Sequence, residues 1–592
     1  MASPSVCICC ISAEEVNRTG LLDACEREDG EPCSFCKEHT DLDAQLIIAK
    51  QTVERLLDRR RSIRTKINKC HDTVTSKLPV EIVSPIFELS LSDMWVSGQF
   101  DAWNDDKKPV MGIKQVDSGP LFLGSICQSW RDIAWSTPSL WTVIHTSVPQ
   151  RENIHGRVTV DILSAWMERS GQLPLSVHFS GNRDSWASAW GNDRGWAPTC
   201  EVAKLNQQFI DLVNQHSGRW EHLKISNMHA SVVNLRCTNS QCAPRLRTLR
   251  VEDPKEPTSL FAYMSTIPHL ESVTIIHSGM NAMDIQWNCV TNVFIKAIGL
   301  EPGFALLELA PQLVHFKWEI VITERSWTLG WVQQSSPFST DSPQVVHHAL
   351  QSLEICSTMV YPANSLPSLT IFFNKFNFPH LTEYKINTYS DFPWDSFLAH
   401  IRHSSCPLTT LAIGKTNILY QTLIEILKEM PLLRKLQLKS NTSAANYEFE
   451  LFYLLSSTSI YDTSINTVGA IQGQFLPELK ILEFARINYR DEKADSVFWG
   501  CLPDIVGSIS QINNPKRRPL NKLRISWLAL LKNGESVDST FYEERIIKKE
   551  PLTRLLKLAE AGVVLDLRDS TLQFDLLKIS MQYHGMVSDI EA

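Results

Sequence analysis

The sequence predicts a mixed α/β chain: an N-terminal helical segment, a small all-α module, then an irregular solenoid of strand–helix repeats. Three observations predict it. A unit of the form Leu-x-x-apolar-x-apolar recurs nine times between Leu246 and Ile525. Apolar residues between 42 and 74 recur at alternating steps of four and three. Between 78 and 141, two helix-length apolar patterns flank a polar stretch.

Composition bounds the function classes. The 592 residues correspond to about four ordinary domains, or to one elongated repeat array that escapes the size limit of a single core. With 43% hydrophobic and 21% charged residues the chain can bury a large core. A net charge of −8 argues against neutralising a phosphate backbone, so no nucleic-acid partner is expected. The 15 cysteines are scattered without framework spacing. They read as reduced thiols of an intracellular protein, cytoplasmic and/or nuclear. No run of 18 apolar residues exists, so no membrane partner is expected. The first residues lack a basic region ahead of an apolar run, and no secretory signal is expected. The chain carries no phosphate-binding glycine loop, no HExxH and no GxSxG, and its 17 histidines form no ligand cluster. A non-enzymatic protein without cofactors is the expectation. The rival is an enzyme whose site assembles from dispersed residues of the repeat region.

Residues 1–40 hold Cys7, Cys9, Cys10, Cys25, Cys33, Cys36 and His39. Four of these could surround a zinc ion, but their spacing fits no finger pattern and acidic residues fill the intervals. A disordered acidic tail is expected. Residues 41–75 read as one helix. Leu46, Val53, Arg60, Ile67 and Val74 fall at position a of a heptad, and Leu42, Ala49, Leu56, Ile63 and Cys70 at position d. Pairing with another helix and packing on the chain's own domains both satisfy such a seam.

The module spans 76–148. Leu78-Pro79-Val80-Glu81-Ile82 opens a helix, with Pro79 at its first position and Glu81 facing the positive end of the dipole. Ile82, Ile86 and Leu89 form one apolar stripe, and Phe87 lies beside it. Pro85 falls inside this helix, where it removes a backbone hydrogen bond and predicts a bend. An insert occupies about 92–118. A second helix covers Pro120 to Ala134, including Ile126, Cys127, Trp130 and Arg131. Thr137-Pro138 then opens a short element ending in Leu140-Trp141, with Thr137 as its cap.

The opening Leu-Pro-Val-Glu-Ile, the Cys127…Trp130-Arg131 core and the closing Leu140-Trp141 occur in an order that resembles an F-box. The resemblance implies a small helical module that docks on the adaptor subunit of an SCF-type (cullin–RING) ubiquitin ligase. Its contact residues would come from Leu78, Pro79, Glu81, Ile82, Ile86, Phe87, Ile126, Cys127, Trp130, Arg131, Leu140 and Trp141. A module this short should leave part of that apolar surface for a partner.

Residues 149–592 carry the repeats. Asp161 to Gly171 reads as a helix with a glycine cap, and Leu175 to Phe179 as a strand. The nine units begin at Leu246, Leu270, Leu313, Leu350, Leu381, Leu408, Leu433, Leu479 and Leu520. Their form matches the strand-bearing half of a leucine-rich repeat. The longer steps imply insertions or degenerate repeats. Strand alternation predicts that Arg250, Thr274, Lys317, Glu354, Lys385, Ala412, Gln437, Glu483 and Arg524 point to the open face. The insertions Ser326–Gln344 and Ser440–Gln474 are alternative contact loops. Trp186, Trp190 and Trp196 are expected to pin a long loop. The whole order resembles fungal F-box-like repeat proteins. That resemblance implies a substrate-recognition adaptor whose module binds the ligase's adaptor subunit and, through it, a cullin, while the repeats hold a target protein. The alternative is a non-catalytic repeat scaffold without ligase association.

Overall fold

A computed structural model describes residues 34–72, 75, 77–91, 119–147, 154–180, 208, 211–226, 243–252, 269–276, 285–298, 301–321, 344–357, 367–388, 392–414, 418–440, 447–460, 475–488, 492–507, 514, 516–529, 546–569 and 574–586. The tail before Ser34, the insert at 92–118 and the tryptophan cluster at 186–196 lie outside these residues, as does most of Ser326–Gln344. The chain divides into two compact units, Met1–Trp141 and Thr142–Ala592.

The first unit is helical. α1 runs Ser34–His71, α2 Val80–Ser90, α3 Pro120–Ile126 and α4 Gln128–Ser136, and a 3-10 turn covers Pro138–Trp141. α1 contains most of the heptad segment but starts seven residues earlier than expected, inside the tail expected to be disordered, and ends at His71 rather than 75. Its apolar seam has no cover: Leu42, Leu46, Val53, Leu56, Ile63 and Ile67 are all exposed.

The second unit is a mixed α/β body built on one long sheet. Its strands are β1 Val143–Ser147, β2 Leu175–Ser180, β3 Trp220–Ser226, β4 Thr248–Glu252, β5 Ser272–Ile276, β6 Asn292–Ile298, β7 His315–Val321, β8 Val345–Val346, β9 Ser352–Ser357, β10 Phe376–Asn377, β11 Glu383–Asn387, β12 Thr410–Gly414, β13 Lys435–Ser440, β14 Ile481–Asn488, β15 Lys522–Ala529, β16 Val564–Asp569 and β17 Phe574–Asp575. All but β8 and β10 join the long sheet in chain order, and those two pair separately. Every pair from β1 to β16 is parallel, and β17 closes the edge antiparallel.

All nine units recognised in the sequence become strands of this sheet. Five further strands of the sheet, β1, β3, β6, β16 and β17, lie outside the sequence expectation, and β1 falls inside the 76–148 segment expected to be all-α, so the helical module ends at Trp141. β3 carries Trp220-x-x-Leu223-x-Ile225, and Val290-x-x-Val293-x-Ile295 runs into β6, so Trp and Val occupy the leading leucine position. β6 divides the long step from Leu270 to Leu313 into two of ordinary repeat length. β16 follows a helix over Lys549–Glu560 and the left-handed Gly562 with φ 93°. The helix expected at Asp161 to Gly171 starts earlier, at Ile154, and ends at Arg169 with Gly171 at φ 58°.

Register explains the core. Val177, Leu223, Leu249, Val273, Val293, Phe316, Leu353, Tyr384, Leu411, Leu436, Leu482 and Leu523 stand side by side across neighbouring strands. Each is 4% exposed or less. Because strand side chains alternate, these residues pack against the helices between strands, and the intervening ones look to the open face. Widening of the core falls on aromatics: Trp318 lies against Phe304, Phe316 and Phe372. Gly303, in a helix spanning Glu301–Leu309, makes room for it, since a Cβ there would meet the Trp318 ring at 2.6 Å.

Candidate docking surface

The helical module separates the predicted contact residues into two sets. On α2, Val83 and Phe87 are buried, while Ile82, Ile86 and Leu89 point outward at 50%, 41% and 81% exposure. The steps of four and seven put these three on one stripe, on a different face from the buried pair. Leu78, Val80, Phe122 and Ile126 are also exposed, and so are Pro79, Glu81 and Arg131. Phe87, Leu140 and Trp141 are buried, so they hold the module together and offer a partner no surface. Cys127 and Trp130 are half-buried.

Local chemistry accounts for these positions. Pro79 is the residue before the helix, one place earlier than expected, and its carbonyl accepts from the Ile82 and Val83 amides at 3.0 and 3.1 Å. Glu81 stands in the first turn. Pro85 does not end the helix, which continues to Ser90. The single helix expected over 120–134 is instead two. Cys127 is fully extended between them (φ −156°, ψ 171°), and its sulfur accepts from the Trp130 amide at 3.4 Å. Thus the thiol caps α4, and the three-residue Cys–Trp spacing is the cap spacing. Arg131 Nε then donates to the Gly124 carbonyl at 2.8 Å, tying α4 back to α3.

Two aromatic contacts complete the module. Phe87 and Trp130 rings lie 4.7 Å apart, and Trp141 meets Trp135 edge-on at 5.3 Å. Trp141 Nε1 donates to the Ala134 carbonyl at 2.7 Å, which satisfies the one polar atom of a fully buried indole. Thr137 does not cap the 3-10 turn. Its hydroxyl donates to the Ile133 carbonyl at 2.7 Å and accepts from Ser84 at 2.9 Å, joining α2 to α4. Asn68 at the end of α1 donates to the Ile126 carbonyl at 3.2 Å.

The open face of the second unit is the other candidate surface. One ladder runs His145, His178, Lys224, Arg250, Thr274, Phe294, Lys317, Glu354, Lys385, Ala412, Gln437, Glu483, Arg524, Asp566. Sequence alternation found nine of these residues. It did not foresee that Arg250, Thr274 and Glu483 are buried. Charge pairing along the sheet is part of the reason. Lys224 Nζ lies 3.1 Å from Glu252, which also receives Arg250. Glu483 receives Lys435 at 3.4 Å and Arg524 at 3.7 Å. Lys296 meets Glu319 and Lys317 meets Glu354, both at 3.0 Å. Burial draws the Lys317 ammonium down, but Glu354 outweighs it and leaves the pKa above the ordinary lysine value. Arg524 and Arg568 similarly outweigh burial at Asp566 and hold its carboxyl below the usual range.

Among the described residues no group of three or more His, Cys, Asp or Glu side chains could hold a metal ion. Cys36 and His39 lie on α1, where His39 Nδ1 sits 3.3 Å from Asp43. No helix of the described residues is long and apolar enough to cross a membrane. No family model and no curated protein matches the chain.

Proposed function

We propose that the chain is a substrate-recognition adaptor of an SCF-type (cullin–RING) ubiquitin ligase. In this reading the helical module acts as an F-box, and the strand–helix units act as leucine-rich repeats. The observation that carries the reading is the two-faced α2. Val83 and Phe87 complete the module's own core, while Ile82, Ile86 and Leu89 leave an exposed apolar stripe, and Leu78 and Ile126 are exposed as well. Exposed apolar surface of this kind, on a body already well packed, is what a partner subunit covers. The open sheet face is the surface offered to a target protein. Chemistry then belongs to the partner subunits, and this chain raises the local concentration of target lysines near the ubiquitin carrier.

The test is co-purification of the full chain with the isolated adaptor subunit and with a cullin. Wild type is expected to bring down both. Ile82→Asp with Ile86→Asp should abolish capture without unfolding the module, because neither side chain is buried. Adaptor binding without a cullin would favour the non-ligase scaffold, and a folded wild type that binds no adaptor would defeat the proposal.

A further inference from the structure

The apolar seam of α1 is not covered by any described part of the chain. Leu42, Leu46, Val53, Leu56, Ile63 and Ile67 are each between 48% and 66% exposed. They span nearly four heptads, about the length at which a helix pair becomes stable. Apolar residues at this spacing lose a large stabilisation if they stay in water. The question is which helix covers them, and the charges beside the seam answer it.

Positions e and g flank positions a and d. Toward the N-terminal end they carry Glu38 and Asp43. From there on they carry Lys50, Arg59, Arg64 and Lys66, and Arg60 occupies position a itself. In a parallel pair of identical helices, g of one heptad meets e of the next on the partner. That would set Arg59 beside Arg64, Glu38 beside Asp43, and Arg60 directly across from Arg60. All three are like-charge contacts.

Reversing one copy removes them. In an antiparallel pair Leu46 faces Ile63 of the second copy, Val53 faces Leu56, and Ile67 faces Leu42. Arg60 then faces Ala49, the smallest residue of the seam, so its stem can lie over a methyl group while its charged head reaches water. Asp43 falls beside Arg64 of the second copy, and symmetry makes that pair twice. The acidic end of each helix meets the basic end of the other.

We infer that α1 is a dimerisation helix that pairs antiparallel with α1 of a second copy. This inference is independent of the ligase reading, because it uses no residue of α2, α3 or α4. It predicts that the full chain sediments as a dimer at micromolar concentration. Leu46→Asp with Ile63→Asp should leave a monomer, since both side chains are exposed and their replacement leaves the fold of the chain intact.

Charge reversal tests the orientation. Arg64→Glu turns two attractive contacts into two repulsive ones and should raise the dimer dissociation constant about tenfold. Adding Asp43→Arg to the same chain should restore it. In a parallel pair Arg64→Glu would instead tighten the dimer by relieving Arg59, and oxidation would link Cys70 to Cys70. A monomeric wild type, a tighter Arg64→Glu dimer or a Cys70–Cys70 link would each overturn the inference.

Discussion

Arg518 is fully buried and, among the described residues, has no carboxylate partner; its guanidinium donates instead to the carbonyls of Leu455, Phe475, Leu476 and Thr458. Burial lowers its pKa to about 10, which leaves it charged at neutral pH. Arg219 repeats the device, donating to Leu173 and Ser170. Both precede a strand, and both gather carbonyls of preceding turns; those of Ser170 and Leu476 also accept an amide, from Leu173 and Leu479. Arg518→Met should therefore cost about 3 kcal/mol or more in chemical denaturation, because each stranded carbonyl costs about 1–3 kcal/mol. Histidines act in the opposite sense. His145 Nδ1 meets His178 Nδ1 at 3.0 Å, and His178 Nε2 meets Ser226 Oγ at 3.0 Å. Burial, then the Lys224 charge, lowers the His145 pKa to about 4, and burial lowers His400 to about 4 as well. The unfolded chain takes up these protons first as pH falls. Stability from the neutral rings is thus complete above pH 6.5 and is lost progressively toward pH 4. Urea midpoints should fall from pH 7 to pH 5, and His400→Gln should flatten that slope. None of these roles was legible in the sequence, because a buried arginine or histidine looks there like any solvated one.

At the scale of the element, α2 shows how one helix serves two masters. Phe87→Ala should destabilise the module by about 3–5 kcal/mol by opening a cavity against Trp130, whereas Ile82→Asp should leave thermal unfolding nearly unchanged. Pro85→Ala should stabilise α2, by up to about 3 kcal/mol, by restoring the missing backbone hydrogen bond. The stripe of Ile82, Ile86 and Leu89 was legible because it follows the helical period. The break at Cys127 was not, because a thiol is an unusual cap and no glycine or proline marks it. Cys127→Ala should cost about 1 kcal/mol as a lost cap, and Cys127→Ser should recover most of it. Gly124 was equally silent in the sequence, although a Cβ there would lie 1.9 Å from the Trp135 ring. Gly124→Ala should cost about 1–3 kcal/mol as overpacking.

Across the whole second unit each strand pairs only with its neighbours, so the two ends of the sheet are its weak points. The C-terminal end is closed by β17 and by a helix over Leu576–Tyr583, whose Ser580 accepts from the Ile547 amide at 2.9 Å. His584 Nε2 meets the Ile547 carbonyl at 2.9 Å. Removing residues 574–592 should expose the β16 edge and promote aggregation, which light scattering would register. The sequence alone determined the nine regular strands, since a leucine three and five residues ahead of two apolar positions is a local pattern that any strand of this kind repeats. It also determined α1 and the outward stripe of α2, which depend only on spacing along one helix. Only the tertiary structure decided that Trp220 and Val290 stand where leucine was expected, because stacking requires a filled volume and not a particular residue. Only it decided that Arg250 and Glu483 are buried while Lys317 is exposed, because burial on a sheet face is set by the partners on neighbouring strands, which are tens of residues away in the chain.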